Sequence, residues 1–355
     1  MNTYLSPPVD CERLETIVAR DGGTWNVQPQ DSQVDYTLPA NASEELREFL
    51  RPLTSAIFPP DFLAWLPYGR VFGPGVVLSA DGRSVARDVS VDFGKPFQQH
   101  WLLKYQEIRP PVPRHGTTLV VATALASGYS HWLLEELPRL LRARDCAFDA
   151  VIAHAKSAFS LQAFKLLGLN ATIVPARRYS HFVCDQLIVP SLLGQPGFPT
   201  PRMLELLDGF TATVRAESIV AGERLYVSRE KARRRRVTNE PELWNWLKSR
   251  GFVKLCTEDL SWAEQIQVFR HAKVVVGPHG AGLANLAFCA AGTKVVELFH
   301  RSYINSCYWR LSSVRGLEYV PITAEGDAPL EMNIRANRLD FSVQVDQIAR
   351  ALATA

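Results

Sequence analysis

The sequence predicts an α/β protein with two Rossmann-like halves, each built from short parallel strands that alternate with helices. After residue 118, short apolar runs recur with segments of helical length between them, and a second such series starts near residue 225. Between the two series, residues 190–202 contain four prolines and two glycines. Because both residue types interrupt helices and strands, we place the joint between the halves there or in the helix that follows.

Local patterns predict the individual elements. Two short apolar runs around Asp81-Gly82 predict a β-hairpin, since Asp-Gly favours a tight turn. Leucines recur at helical spacing from residue 133, and Ser261 with Glu264 three residues later fits a capping box. The predicted strands are 119–122, 150–153, 172–174, 225–228, 252–255, 274–276 and 295–298. The predicted helices are 130–144, 158–167, 203–217, 240–250, 261–271, 283–289 and about 343–353.

These elements divide the chain into four parts. Residues 1–115 are expected to form an N-terminal extension that contains the hairpin and packs on the first half. Residues 116–200 and 201–335 are the two Rossmann-like halves, and residues 336–355 hold a helix that closes the chain.

Composition excludes several classes of protein. The 355 residues are 47% hydrophobic and 21% charged, which excludes a disordered chain. A formal charge of +3 does not call for a nucleic-acid partner. The six cysteines form no C-x-x-C pair, so we expect a reduced, intracellular protein. With no signal core in residues 1–31 and no long apolar run, we expect a cytoplasmic protein whose basic residues could still contact the inner membrane surface.

A glycine-rich turn at residues 277–282 lies between a predicted strand and a predicted helix. Glycines let a backbone approach a ligand closely, and the first N–H groups of a helix attract anions. Glu297 follows fifteen residues after Gly282, where a carboxylate could accept hydrogen bonds from a ribose. The alternative is a tight structural turn in which His279 only fills space.

Arginines follow the first strand of the second half. Arg229 comes at the predicted carboxyl end of that strand, and residues 233–236 are four consecutive arginines. Arginine binds phosphate oxygens in a bidentate manner, so one or two of this group are candidates to bind a diphosphate. The alternative is a solvated basic surface.

A histidine and a carboxylate share a face of the first predicted helix. His131 and Glu135 are four residues apart, so their side chains are neighbours. We expect His131 to act as a general base, with Glu135 as the second choice. The alternative is a capping histidine packed by Trp132. The pair lacks further local ligands for a metal, and the chain has no Asp-x-Asp triplet, so no metal site is predicted.

Taken together, these motifs resemble glycosyltransferase family 61. The resemblance rests on residues 264–285 with 296–298, on Ser228-Arg229 with Arg236 and Asn239-Glu240, and on His131-Trp132. It covers about residues 115–325. The donor-binding residues that it implies are Arg229, Arg236, Asn239, Glu240, His279, Gly280, Ala281, Gly282, Asn285 and Glu297.

The resemblance implies a GT-B fold, in which two Rossmann-like domains face each other across a cleft. Residues 116–200 would bind the acceptor and residues 201–335 the donor. The implied reaction is metal-independent and needs no cofactor. It transfers a sugar, with inversion, from a nucleotide-diphosphate donor, with UDP favoured, to a glycan or glycolipid hydroxyl. The implied setting is the synthesis of bacterial capsule or lipopolysaccharide.

Two other functions stay open on the sequence alone. Residues 277–282 could be the dinucleotide turn of a nicotinamide-dependent oxidoreductase. The chain could also bind a nucleotide sugar or a glycan without catalysing transfer.

Overall fold

The computed structural model describes residues 4–28, 33–58, 60–92, 95–216, 222–326 and 329–353. Internal contacts divide the chain into two units. The first unit comprises Met1–Ser32 and Phe58–Pro196, and the second comprises Gln33–Ile57 and Gly197–Ala355. The boundary therefore lies in the proline-rich segment, but the predicted extension 1–115 does not stay together, since Gln33–Ile57 belongs to the second unit.

Strands and helices are numbered here in chain order. The strands are β1 (Asp10–Glu12), β2 (Thr24–Gln28), β3 (Gln33–Asp35), β4 (Ser55–Ile57), β5 (Asp61–Pro67), β6 (Arg70–Phe72), β7 (Val76–Leu78), β8 (Ser84–Ala86), β9 (Val112–Val120), β10 (Ala150–Ala153), β11 (Thr172–Pro175), β12 (His181–Pro190), β13 (Arg224–Val227), β14 (Val253–Leu255), β15 (Val274–Pro278), β16 (Lys294–Phe299) and β17 (Glu318–Thr323). The α-helices are α1 (Leu14–Arg20), α2 (Glu44–Leu50), α3 (Tyr129–His131), α4 (Leu137–Arg142), α5 (Ala158–Leu166), α6 (Pro201–Thr211), α7 (Glu240–Lys248), α8 (Trp262–His271), α9 (Cys307–Arg315) and α10 (Val345–Ala353).

A mixed ten-stranded sheet forms the first unit. Strand β12 pairs in parallel with β9 on one side and antiparallel with β5 and β6 on the other. Strands β9, β10 and β11 continue the parallel part. The predicted hairpin is confirmed as β7 and β8, in which Leu78 pairs with Val85. Strands β1, β2 and β5–β8 are thus part of this sheet and not a layer packed on it, because β5 satisfies its backbone groups by pairing with β12, whereas β3 and β4 pair with each other in the second unit.

A five-stranded parallel sheet forms the centre of the second unit. Its order is β14-β13-β15-β16-β17, so the chain moves outward from β13 to β14 and then returns to the other side of β13. That reversal makes the gap between the carboxyl ends of β13 and β15 a topological switch point. The mixed α/β class with parallel strands is therefore confirmed.

The helices around this sheet start where local signals predict. The capping box at α8 is confirmed, since Ser261 accepts from the backbone N–H of Glu264, whose side chain accepts in return. The helix predicted at 283–289 is instead a 3₁₀-helix over Ala281–Phe288. Helix α6 ends at Thr211, and the predicted end of that helix, residue 217, lies outside the described residues. Among the helices in the described ranges, none has both the length and the apolar composition needed to cross a membrane.

Candidate functional site

The switch point of the second unit brings two of the sequence-predicted segments together. Ser228 and Arg229 follow β13 directly, while His279 and Gly280 follow β15. These two strands are hydrogen-bonded neighbours in the sheet. Ligands of open α/β sheets bind at such a point, so the candidate site is built on these two strand ends.

Gly280 is required by space and not by backbone conformation. Its φ of 178° is extended backbone that any residue adopts. A Cβ at Gly280, however, would overlap Nη1 of Arg229. Gly277 is confined less tightly, since a Cβ there would lie 3.0 Å from the carbonyl oxygen of Val227. The close approach that Gly280 permits is therefore that of the Arg229 guanidinium.

Arg229 is a half-buried cation without a carboxylate partner in the described parts of the chain. Burial and, to a lesser extent, the nearby Arg235 lower the pKa of its guanidinium to about 10. Nη2 donates to the carbonyl oxygen of Arg234 at 3.1 Å, and buried Nε donates to no group. Because a partly desolvated cation is costly unless it is paired, this arrangement favours binding of an anion.

A second cation of the same kind is Arg235. Its backbone lies in the left-handed region with φ of 56°, which costs an ordinary residue about 1–2 kcal/mol. The guanidinium lies 5.3 Å from the centroid of the Tyr303 ring, and buried Nε has no hydrogen-bond partner. Across the described ranges, no ion pair joins Arg235 to a carboxylate. The strained backbone thus keeps a second unpaired guanidinium near Arg229.

Arg236, the arginine chosen from the sequence, lies elsewhere. Its backbone N–H donates to Oδ1 of Asp340 at 2.9 Å, and Nε and Nη2 donate to Oδ2 at 2.9 and 2.7 Å. The predicted phosphate role of Arg236 is therefore corrected, because its guanidinium is already neutralised by a carboxylate. The sequence did not identify Arg235 as the second cation, since nothing in a run of four arginines distinguishes one from the next.

His279 belongs to a buried hydrogen-bond chain and does not simply fill space. Its Nδ1 lies 2.6 Å from Oε1 of Glu297, and the hydroxyl of Tyr319 donates to Oε2 at 2.5 Å. The imidazole stacks on Phe299 with ring centroids 5.4 Å apart. Burial lowers the pKa of His279, although Glu297 opposes this shift. A neutral ring that donates from Nδ1 presents a lone pair at Nε2.

Glu297 therefore cannot hold a ribose in the way the sequence suggested. The residue has no exposed surface, and both carboxylate oxygens accept hydrogen bonds from the protein. It lies inside β16 and not at the end of that strand. Its hydrogen bond to Nδ1 instead fixes the orientation of the His279 ring.

The other predicted donor residues support the site from outside it. Asn239 exchanges hydrogen bonds with the backbone of Val343, and its amide also donates to Glu242. Glu240 accepts from Ser228 at 2.5 Å and pairs with Lys254 at 3.1 Å, which fixes the residue before Arg229. In the same way, the amide of buried Asn285 donates to Gln265 and to the carbonyl of Gly282. Ala281 and Gly282 begin the 3₁₀-helix that follows β15, and the first N–H groups of a helix have no acceptor within it.

In the first unit, His131 and Glu135 meet as the sequence predicts. Nδ1 of His131 lies 2.5 Å from Oε1 of Glu135, and Thr123 donates to Oε2 at 3.4 Å. A π-helical turn over Trp132–Glu136 separates α3 from α4, and such turns are frequent at functional sites. The imidazole is about one third exposed, whereas the carboxylate is nearly covered.

Sequence reasoning missed a second pair beside the first. Glu136 accepts from the backbone N–H of His154 at 2.6 Å and lies 2.9 Å from its Nδ1. His154 follows β10, and Thr123 follows the neighbouring strand β9. Fully buried Arg139 donates to carbonyl groups at the ends of β9 and β12, and burial lowers its pKa to about 10 against the attraction of Glu136. No sequence signal connects His154 with Glu136, because the two residues are 18 positions apart and only the fold brings them together.

No cluster of three or more His, Cys, Asp or Glu side chains in the described ranges is arranged to hold a metal ion.

Comparison with known proteins identifies the same region of the chain. The family model described as Glycosyltransferase 61 matches residues 129–296, just under half of the chain. The chain is 31% identical over 91 residues to the EGF domain-specific O-linked N-acetylglucosamine transferase of Gallus gallus, covering 24% of this chain and 17% of that protein. It is 32% identical over 97 residues to the protein of the same name from Drosophila melanogaster, covering 26% and 18%. To the Beta-1,2-xylosyltransferase RCN11 of Oryza sativa subsp. japonica it is 29% identical over 99 residues, covering 26% and 19%.

The matched region spans less than a fifth of the length of each of these relatives. All three are named as transferases of a sugar, and the family model includes both the His131 segment and the switch point. Over residues 129–296 the chain is therefore similar to glycosyltransferase family 61.

Proposed function

We propose that this protein transfers a sugar from a nucleoside-diphosphate donor to a hydroxyl group of a glycan or glycolipid. The observation that carries the proposal is the pair of guanidinium groups of Arg229 and Arg235, which lack carboxylate partners in the described residues and lie beside His279. Two cations that repel each other are stabilised when a multivalent anion enters between them. A diphosphate has that charge, and the first amides of the 3₁₀-helix offer it further donors.

His131 and Glu135 supply the proton chemistry in this proposal. With Nδ1–H donated to Glu135, Nε2 of His131 is free to accept the proton of the acceptor hydroxyl. The acceptor oxygen forms a bond to the anomeric carbon while the bond from that carbon to the diphosphate breaks. The leaving electron pair stays on the diphosphate, where Arg229 and Arg235 stabilise it. A single displacement of this kind inverts the anomeric centre.

The finer features stay predictions. We propose that the donor is a UDP-sugar, that the cations above replace a metal ion, and that no cofactor takes part. The GT-B arrangement, the bacterial polysaccharide setting and the cytoplasmic location also stay predictions, and the relatives named above come from two animals and a plant.

Neighbouring arginines give a matched test of donor binding. Calorimetric titration with UDP, without added metal, compares the wild type with Arg235→Met and Arg236→Met. We expect Arg235→Met to weaken UDP binding at least tenfold, because a charge-assisted contact is lost. Arg236→Met is expected to change the affinity less than twofold, since its guanidinium already pairs with Asp340.

A transfer assay then tests the base. With a panel of UDP-sugars, His131→Gln should lose transfer while keeping UDP affinity. If NADH bound and UDP did not, the protein would be a nicotinamide-dependent enzyme and the proposal would fail. Equal loss of UDP affinity in both arginine variants would refute the assignment of Arg235.

A further inference from the structure

One short loop of the second unit exposes three large apolar side chains. Met332 is 61% exposed, Ile334 70% and Leu339 47%. Apolar side chains are usually exposed singly, and a cluster indicates an interaction surface. We call the loop 331–339 the apolar-basic loop.

The backbone of this loop is held firmly. Met332 forms an antiparallel bridge with Tyr303, and the N–H of Asn333 donates to the carbonyl of Ser302 at 3.1 Å. The Asn333 side chain bonds that of Glu331, which places both on the side of the segment opposite to Met332. Ala336 is buried beneath the 3₁₀ turn that follows. The exposed side chains are therefore displayed by an ordered segment.

Arginines without carboxylate partners lie among the apolar residues. Arg335 and Arg338 are exposed, and so is Arg233 in the run of four arginines. That run is bonded to the apolar-basic loop, since Nη1 of Arg234 donates to Oδ1 of Asn337 at 3.2 Å. Within the described residues, none of these three forms an ion pair. Aliphatic side chains interspersed with free arginines match an anionic bilayer, whose headgroups attract the cations while its interior takes up the apolar groups.

We propose that the apolar-basic loop docks this protein onto the surface of a membrane that contains anionic lipids. Met332 and Ile334 enter the headgroup region, and Arg335, Arg338 and Arg233 contact lipid phosphates. This inference does not depend on the proposed function, because it rests on residues outside the switch point. The loop is nonetheless bonded to the site, since Tyr303 pairs with Met332 and also packs on His279 with centroids 5.6 Å apart.

Vesicle sedimentation tests the proposal with the full chain. The wild type is mixed with vesicles of phosphatidylcholine alone or of phosphatidylcholine with phosphatidylglycerol, at low and at high salt. We expect binding to the anionic vesicles that weakens with salt. Replacing both Arg335 and Arg338 with alanine should reduce the partition constant about thirtyfold, roughly fivefold for each charge. Met332→Ser with Ile334→Ser should reduce it at least about tenfold.

Helix α5 provides a matched control on another surface. It exposes Leu161 and Leu166 at 50% and 43%, and exposed Lys156 and Lys165 lie at its ends. Serine at both leucines and alanine at both lysines should leave vesicle binding within twofold of the wild type. Circular dichroism checks that every variant is folded.

Three outcomes would overturn the proposal. The first is no binding to anionic vesicles. The second is binding that the control variants reduce as much as the loop variants do. The third is binding that needs the arginines but not Met332 and Ile334, which would indicate attraction to any polyanion, such as an acidic protein, without contact to the bilayer interior.

Discussion

Replacing Glu297 with alanine should lower the free energy of unfolding by about 3–5 kcal/mol, the usual cost of breaking a buried polar pair. The residue is fully buried, and its oxygens accept from His279 at 2.6 Å and from Tyr319 at 2.5 Å. Burial raises the pKa of Tyr319, so its hydroxyl stays protonated and donates. Without the carboxylate, an imidazole N–H and a phenol O–H lie buried and unpaired, at about 1–3 kcal/mol each.

This prediction separates two roles for the same residue. If Glu297 held a ribose, the alanine variant would lose donor affinity and keep its stability. The assay is urea unfolding followed by circular dichroism for the wild type, Glu297→Ala, Tyr319→Phe and the double variant. The double variant should cost less than the sum of the two, because removing the phenol hydroxyl removes one of the unpaired donors.

A neighbouring glutamate is the matched control. Glu318 lies one residue before Tyr319, its side chain is 59% exposed, and its nearest cation is Lys294 at 3.9 Å. Glu318→Ala should change the free energy of unfolding by less than about 0.5 kcal/mol. A cost below about 1 kcal/mol for Glu297→Ala, or an effect that adds fully to that of Tyr319→Phe, would contradict the structural role of Glu297.

Gly280→Ala should displace the Arg229 side chain and weaken UDP binding by about tenfold in a calorimetric titration, about 1.4 kcal/mol, with the fold retained. Gly209→Ala should stabilise the protein by about 0.5–1 kcal/mol in urea unfolding, because exposed Gly209 lies within α6 and no atom lies within 4 Å of the added Cβ. Acidification from pH 7 to 5 should lower the free energy of unfolding. Burial lowers the pKa of His100 and His181 in the folded protein. Below about pH 6.5 these histidines are therefore protonated in the unfolded chain before they are protonated in the folded protein, which favours unfolding. When urea unfolding is measured across this pH range, the free energy of unfolding should change less with pH for His181→Gln than for the wild type. An equal pH dependence in both proteins would show that His181 is not a cause of the acid destabilisation.

Local sequence signals were sufficient for much of the fold. The apolar run 274–276 and the capping box at Ser261 identify β15 and α8, because hydrophobic period and helix capping depend on neighbouring residues. Strand β12 was missed: its apolar run is interrupted by Asp185, next to a register shift between Cys184 and Gln186. An irregular strand of this kind lacks the alternation that sequence patterns detect.

The candidate site was predicted by segment but not by individual side chain. Arg229, His279 and Gly280 meet because each follows a parallel strand, and strand order is decided by topology. The choice between Arg235 and Arg236 depends on Asp340, about a hundred residues further along the chain, and on a left-handed backbone at Arg235. Likewise, the sequence predicts a ribose ligand at Glu297 because it does not reveal that β16 pairs with β17. That pairing places the hydroxyl of Tyr319 against Oε2 of Glu297.

The division of the second unit along the chain limits how this protein can be cut. Thr37 bonds Trp309 and Ser313 at 2.7 Å each, and Glu45 pairs with Arg301. Gln33–Ile57 thus leaves the ribosome long before the residues it packs against. A gene cut at the proline-rich segment would leave Gln33–Ile57 on the fragment that carries the first unit. The second unit could therefore be expressed alone only if Gln33–Ile57 were supplied with Gly197–Ala355.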